Sequence, residues 1–398
     1  MNDGWSLSRT GHTTLDILGS VPVGGEVFDV INCGWYLLEG EGGEAALCIV
    51  SVLPIVDIAL KGGKYSIKLL LNLSTSKAFK QLVKSLPAEQ LAALSRIAST
   101  IDPTNAEHYL NTLEQIAGLA AEYPQHVAVL EQLAKAIPSP ASLQRITERI
   151  KQLGESTTKL LDDLAKNPTF AIEFFAKAGD NPGLVESWKI LSNGSTSLKS
   201  IDNINAVHAF RTANPQIADD AIQAAFDGLK ASRKQPFINA LGCCADNKNL
   251  IGSLKKSKLA SVDEIKDALN KMRDYKTGKP QSGNLGYLED NIPGVTLDKS
   301  KMWESVSLDR ARNETHIFDA IEATGSSGTW LRITDSEYRM LNDLAKKLGG
   351  VKGKSFPDIT GTLKIVSENP YCTSCQGVIQ QFSDMFPNIE IKLIDGIR

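Results

Sequence analysis

Two short clusters near the end of the chain carry residues that could do chemistry. Thr334, Asp335, Ser336 and Glu337 open one helical stretch, and Pro370, Tyr371, Cys372, Thr373, Ser374 and Cys375 open a second. A carboxylate, two thiolates and a spare glutamate suit a catalytic zinc site, which needs three protein ligands, one open position for water and a base nearby to move protons.

The surrounding pattern places both clusters at helix starts. After Glu337, apolar residues fall at Leu341, Leu344, Ala345 and Leu348, one face of a 3.6-residue period, and Gly349 and Gly350 end the run. Residues 361–368 read as a strand with Leu363, Ile365 and Ser367 on one face. A second helix follows through Val378, Ile379, Phe382, Met385 and Phe386 until Pro387 stops it, and residues 388–395 alternate as a closing strand. Helix, strand, helix and strand imply crossovers that gather helix N-termini at one sheet edge. Cys372 and Cys375 then sit where unpaired N–H groups and the helix dipole favour thiolate. The expectation from residues and order together is hydrolytic deamination of a nucleobase.

This pair of elements resembles the zinc-dependent cytidine deaminase superfamily, whose signature is H-x-E followed by P-C-x-x-C. Residues from about 283 to 398 look like the toxin deaminases that form the C-terminal tips of bacterial polymorphic toxins. The resemblance implies that Glu337 is the general acid/base and that Asp335, Cys372 and Cys375 hold Zn2+. Two departures stand out: Asp335 takes the place of the usual His, and Tyr371 lies between Pro370 and Cys372. Both look like features of the toxin subgroup. Three anionic ligands would leave the zinc site one negative charge, which makes its water less acidic than under His-Cys-Cys and puts more of the proton transfer on Glu337. The implied reaction is cytosine to uracil in nucleic acid, DNA rather than RNA, with adenine or RNA deamination by the same site as the alternative. The implied setting is a secreted or delivered effector acting in the cytoplasm of a target bacterial cell, with a cognate immunity protein and a delivery machinery as partners.

Each motif also has a plainer reading. Thr334 and Glu337 have the spacing of a capping box. A Cys-x-x-Cys that follows a strand and opens a helix fits a thiol oxidoreductase, and zinc could merely staple the fold. Residues 318–322 and 329–333 read as the two strands before the first catalytic helix, with Gly325 to Gly328 as their turn. Trp330, Arg332, Asn369 and Tyr371 are candidates to line the base pocket, because flipped bases are held by stacking and edge hydrogen bonds. His316 is the one histidine near the site and reads as a surface residue more readily than as a third ligand.

Composition bounds the rest. A chain of 398 residues predicts two or three domains, and 42% hydrophobic with 22% charged residues is globular. A formal charge of −3 gives no global hint of polyanion binding. Residues 228–280 hold 12 basic against 5 acidic residues, whereas residues 282–398 hold 13 against 16, so the catalytic region is no basic clamp for a phosphate backbone. Six cysteines with an adjacent pair, Cys243 and Cys244, do not make a disulfide framework. The apolar run 45–60 is interrupted by Pro54 and Asp57 and is shorter than the ~20 residues of a spanning helix, so no transmembrane span is expected, and no signal peptide is read.

The expected architecture is a mostly α-helical N-terminal region followed by an α/β deaminase-like domain, a mixed sheet whose helices carry the zinc site. Residues 1–75 form a helical segment that resembles the pretoxin segments placed before toxin tips. Residues 76–227 are an α-helical domain punctuated by prolines, 228–281 a basic helical linker, and 282–398 the deaminase-like domain.

Overall fold

The computed structural model describes residues 106–398, apart from 138, 278–282, 299, 315 and 326–327, together with Ala93, Ile97, Thr100 and Ile101. The pretoxin-like segment and the apolar run 45–60 lie outside the described residues. The chain divides into two compact units, Met1–Ser192 and Asn193–Arg398.

Among the described residues of the first unit six helices follow one another from residue 106: α1 Ala106–Glu122, α2 Val127–Ala136, α3 Pro140–Gln152, α4 Ser156–Lys166, α5 Pro168–Asp180 and α6 Leu184–Leu191. Pro140 and Pro168 stand at helix starts, where a missing N–H costs nothing. Each helix buries one stripe: Leu130 and Leu133 on α2, Leu143, Ile146 and Ile150 on α3, and Phe174 and Phe175 on α5. Trp188 of α6 is fully buried as well, so 182–191 packs as part of this unit.

The second unit opens with α7 Ile201–Ala213, α8 Asp219–Asp227, α9 Ala231–Asp246, α10 Lys248–Ser253 and α11 Val262–Lys276. The α/β part then runs β1 Leu285–Asn291, β2 Trp303–Glu304, α12 Leu308–Arg312, β3 Glu322–Gly325, β4 Gly328–Leu331, α13 Ser336–Lys347, β5 Thr360–Ser367, α14 Thr373–Met385 and β6 Asn388–Ile394. The four-stranded sheet has the order β2-β1-β5-β6, with β1 antiparallel to both neighbours and β5 parallel to β6. A parallel pair needs a crossover, and α14 supplies it. Leu363 and Ile365 of β5 and Ile391 and Leu393 of β6 share one core with Met340, Leu341 and Leu344 of α13 and Val378, Ile379 and Phe382 of α14. The helical N-terminal region and the mixed α/β C-terminal domain are as the sequence implies.

Three local features differ from the sequence reading. The strands that precede α13 in the sheet are β1 and β2, not residues 318–322 and 329–333. The latter region gives only the separate hairpin β3–β4, in which Gly325 pairs with Gly328, while Arg332–Thr334 turns as a 3-10 helix. The polar end of β1, Glu289 to Asn291, masks its strand signal, although the strand is a central one between β2 and β5. Gly361 at the start of β5 has φ of 143°, and a Cβ there would stand 2.5 Å from the Asn291 carbonyl oxygen, so the β1–β5 pairing needs glycine at this point.

The stretch expected as a solvated basic linker, 228–281, is also different in kind. Ile265, Leu269 and Met272 of α11 are buried. The α11 lysines meet carboxylates of the sheet region: Lys271 Nζ lies 2.8 Å from Glu289, and Lys276 pairs with Glu368. Glu264 of the same helix pairs with Lys392 of β6 at 2.7 Å. Residues 256–258 even extend the sheet, since Lys258 N donates to Ile391 O and Ile391 N to Lys256 O, each at 3.0 Å. Charge runs read as solvated faces in sequence because pairing across elements is invisible there.

Candidate functional site

Two helix starts meet at the end of β5. Asp335 is the N-cap of α13 with extended backbone, φ −69° and ψ 141°, yet its carboxylate caps no N–H of its own helix. Cys372 is the N-cap of α14, φ −71° and ψ 167°, and its side chain likewise caps nothing. Both cap side chains turn instead toward each other. The Cys372 and Cys375 sulfurs are 2.9 Å apart, and they lie 3.9 and 3.8 Å from Asp335 Oδ2. Ser374 donates its hydroxyl to the same oxygen at 2.9 Å and lies 3.1 Å from Cys372 Sγ. Arg332 Nε stands 3.0 Å from Asp335 Oδ2, and its Nη2 donates to Cys372 Sγ at 3.5 Å.

Asp335, Cys372 and Cys375 thus form a group that could hold a metal ion, their donor atoms all within 4.8 Å of one another. The donor set fits zinc: with Zn–S of about 2.3 Å and Zn–O of about 2.1 Å, ligand atoms on one ion sit about 3.6–3.8 Å apart. The sulfur–oxygen separations of 3.8 and 3.9 Å lie at the upper edge of that range and just beyond it, while the sulfurs, 2.9 Å apart, stand closer to each other. Charge agrees with geometry. Burial pushes the Asp335 carboxyl up to about 6, against the pull of Arg332 and Ser374. The Cys372 thiol falls to about 4, held as thiolate by the hydrogen bond from Cys375 and then by Ser374 and Arg332, whereas Cys375 is driven up by sharing that bond and by burial.

Glu337, in the first turn of α13, is almost completely buried at 1% exposure. Its carboxylate accepts from Asn284 Nδ2 at 3.0 Å, from Ser336 Oγ at 3.0 Å and from the Ser367 hydroxyl at the end of β5. The capping box suggested by Thr334 and Glu337 is therefore not formed: the N-cap is Asp335, and Glu337 faces the site. Glu337 is thus buried, held by three donors and close enough to act electrostatically on Asp335 and Cys375, and it does not cap the helix.

Asn284 was not singled out from sequence, yet it ties the site together. Its amide nitrogen reaches Ser336, Glu337 and Ser367, and its Oδ1 accepts from Asn369 N at 3.0 Å. A lone amide before a strand looks like any turn residue, and only the β1–β5 pairing brings it to Glu337.

The four residues expected around a base are placed differently from one another. Trp330 is half-buried on β4, with the Arg332 guanidinium 5.7 Å from its ring centroid. Arg332 is committed to Asp335 and Cys372 rather than turned to an open pocket. Asn369 is half-buried beside Asn284 and keeps its place among the candidates. Tyr371 is buried, and its hydroxyl donates to Ile365 O at 2.7 Å with Ile394 O at 3.2 Å, so it joins the ends of β5 and β6 and presents no ring to a substrate. His316 is exposed and lies 3.3 Å from the Tyr338 hydroxyl, outside the metal-ligating group.

A mixed sheet with two helix starts that juxtapose an Asp-Cys-Cys group and a buried glutamate defines a deaminase-like α/β domain. Residues 262–396 match the toxin-deaminase family, described as the BURPS668_1122 family of deaminases, and the chain carries a C-terminal deaminase domain of that family. No curated protein and no solved structure matches the chain. The match begins at α11, which agrees with that helix being tied to the sheet region by the ion pairs of Glu264, Lys271 and Lys276. Among the described residues no helix is long and apolar enough to cross a membrane.

Proposed function

We propose that the C-terminal domain is a zinc-dependent nucleobase deaminase that converts cytosine to uracil in DNA, and that the chain is an interbacterial toxin whose tip it forms. The observation that carries this reading is the buried Glu337 carboxylate, close enough to act electrostatically on Asp335 and Cys375 of the Asp-Cys-Cys group. A bound zinc would polarise a water molecule for attack at C4 of the base. Asp335, Cys372 and Cys375 would hold the ion. Glu337, fixed by Asn284, Ser336 and Ser367, accepts the proton released as water adds, passes it to the ring nitrogen, and delivers the second proton to the departing amine, so that ammonia leaves and uracil remains. The hydroxyls and amide around Glu337 hold its carboxylate in one orientation through both transfers. Trp330 offers an aromatic face beside the site for the target base or its neighbour, and Asn369 a polar edge contact.

The toxin reading brings with it a cognate immunity protein, a delivery route and action in the cytoplasm of a recipient cell, since the producer's own nucleic acid is equally vulnerable. The close Cys372–Cys375 pair with one thiolate also favours a second reading, a dithiol oxidoreductase. Glu337 separates the two. DNA and RNA are sequenced from cells that briefly express the full chain or its Glu337→Ala variant. Glu337-dependent C-to-T changes in DNA support the reading, A-to-G changes or changes confined to RNA move it to the alternative substrates, and toxicity that survives Glu337→Ala at equal expression and zinc content sinks it.

A further inference from the structure

The Asp-Cys-Cys group has an unusual charge. A zinc ion held by one imidazole and two thiolates is neutral overall, whereas one held by a carboxylate and two thiolates carries one negative charge. A negative site attracts neither an electron-rich water lone pair nor an anion as well as a neutral one, and that loss would fall on the step for which the metal is needed. The structure supplies a cation at the point where the extra charge enters. Arg332 lies three residues before Asp335, and the intervening 3-10 turn, in which Asp335 N donates to Arg332 O at 3.4 Å, brings its guanidinium over the ligand group. The Nε is 3.0 Å from Asp335 Oδ2 and the Nη2 is 3.5 Å from Cys372 Sγ, so one planar group spans a carboxylate and a sulfur. Glu337, the other charged group acting on Asp335 and Cys375, is negative and increases the need for such a cation. The Arg332 side chain is three-quarters buried, which limits screening by water.

We propose that Arg332 is a positioning residue of the metal site, a fixed cation that offsets the charge Asp335 adds and is itself held by its bond to Cys372 Sγ, rather than a contact to the base. The inference rests on the zinc reading above. Asp335 and Arg332 then form a unit: a site with both, or with neither and an imidazole instead of the carboxylate, has the same net charge, while a site with one alone is out of balance by one unit. An arginine suits the task better than a lysine because its planar fork can reach both ligands at once.

A double-mutant cycle on the full chain tests this through a binding measurement. The wild type, Arg332→Gln, Asp335→His and the double variant are loaded with cobalt(II), whose visible bands report the thiolate ligands, and titrated with azide as an anion for the open position. A unit charge a few ångströms from the ion is worth at least about tenfold in anion affinity. Arg332→Gln is expected to weaken azide binding at least about tenfold, Asp335→His to strengthen it by a similar factor, and the double variant to return to within about threefold of wild type, with deamination rates regaining the same ground. A double variant that stays about tenfold away from wild type, or an Arg332→Gln variant with wild-type azide affinity, overturns the proposal while leaving the metal site standing. A folded wild type that takes up no cobalt or zinc brings down the zinc reading itself, and the inference with it. Should Arg332→Gln fail to fold, Asp335→His alone decides: unchanged azide affinity in that variant overturns the charge argument, and Arg332→Lys, which keeps the charge, is expected to stay within about threefold of wild type.

Discussion

The two helix starts that build the site are alike in plan and unlike in support. Each places a residue of the Asp-Cys-Cys group at its N-cap and a buried group within its first turn, Asp335 with Glu337 on α13 and Cys372 with Cys375 on α14. The α13 half is held by side chains: Asn284, Ser336 and Ser367 on Glu337, and Arg332 and Ser374 on Asp335. The α14 half is held through its backbone. Glu368 N donates to Leu285 O, Asn369 N to Asn284 Oδ1 and Tyr371 N to Asp395 Oδ2, so the approach to Cys372 is tied down residue by residue. Asp395 is in turn held by Asn247 Nδ2 at 2.7 Å, just after α9 and outside the matched stretch 262–396. Side-chain contacts thus dominate on one half and backbone contacts on the other, and changes on the two halves should have separable consequences.

The largest separation is expected from Glu337→Ala. Removing a positioned general acid/base costs about 10²–10⁴-fold in rate. Because Glu337 is not among the ligand group, zinc stoichiometry and thermal stability should change little beyond the loss of its hydrogen bonds. Elemental analysis beside a deamination assay checks both, and loss of zinc would show that the two halves cannot be uncoupled. Cys375→Ser is the counterpart on α14. It replaces a buried sulfur by a poorer zinc donor, so the variant should fall well below one zinc per chain while Glu337 and its three donors remain in place. A Cys375→Ser protein that retains full zinc would remove the cysteine from the ligand set.

Asp395 offers a pH-dependent view of the same comparison. Burial pushes its carboxyl up to about 6, with Glu337 and Asp246 adding to the rise and the donors Tyr371 N and Asn247 opposing it. In the unfolded chain an aspartate titrates near 4, so between about pH 4 and 6 the folded state holds the extra proton. This group's contribution to stability is therefore greatest below about pH 4, declines as pH rises to about 6, and is level beyond, a change of at most about 3 kcal/mol. Urea unfolding of wild type and Asp395→Asn at pH 4.5 and 7.5 reads it as a difference between the proteins. Wild type should lose stability relative to the variant on going to the higher pH, and a constant difference would mean that the carboxyl is not shifted.

How much of this was legible in sequence depended on whether partners were local. The α13 and α14 faces, β5, β6 and the three ligand residues lie within short windows, and their periods and spacings survive in the chain as written. Asn284 lies 53 residues before its partner Glu337, and Asn247 lies 148 before Asp395, so no window contains either pair. Arg332 and Tyr371 show the converse. Their types suit a base pocket, and their positions beside the motifs are right, but side-chain direction decides their roles: one turns to the ligands and the other into the core. The basic stretch 228–281 looked solvated because Glu289, Glu368 and Lys392, which pair with it, belong to β1, the loop after β5, and β6.

The smallest effect tests the longest reach. Asn247→Ala removes the donor to Asp395 Oδ1 and leaves one buried oxygen without its partner, which costs about 1–3 kcal/mol. The lost bond no longer fixes Asp395, and through it Tyr371 N, so the Cys372 end of α14 gains freedom while the Asn284 network on α13 keeps its own. Zinc should then leave faster under a competing chelator, by about tenfold, as is typical when an outer hydrogen bond to a metal site is broken. Asn284→Ala should do the opposite, lowering turnover with zinc retention unchanged. If Asn247→Ala loses stability but holds zinc as wild type does, the helices before residue 262 only support the sheet. If zinc is lost faster, α9 and α10 belong to the catalytic unit, and a fragment beginning near residue 283 lacks both them and the α11 residues Glu264, Lys271 and Lys276 that pair with Lys392, Glu289 and Glu368.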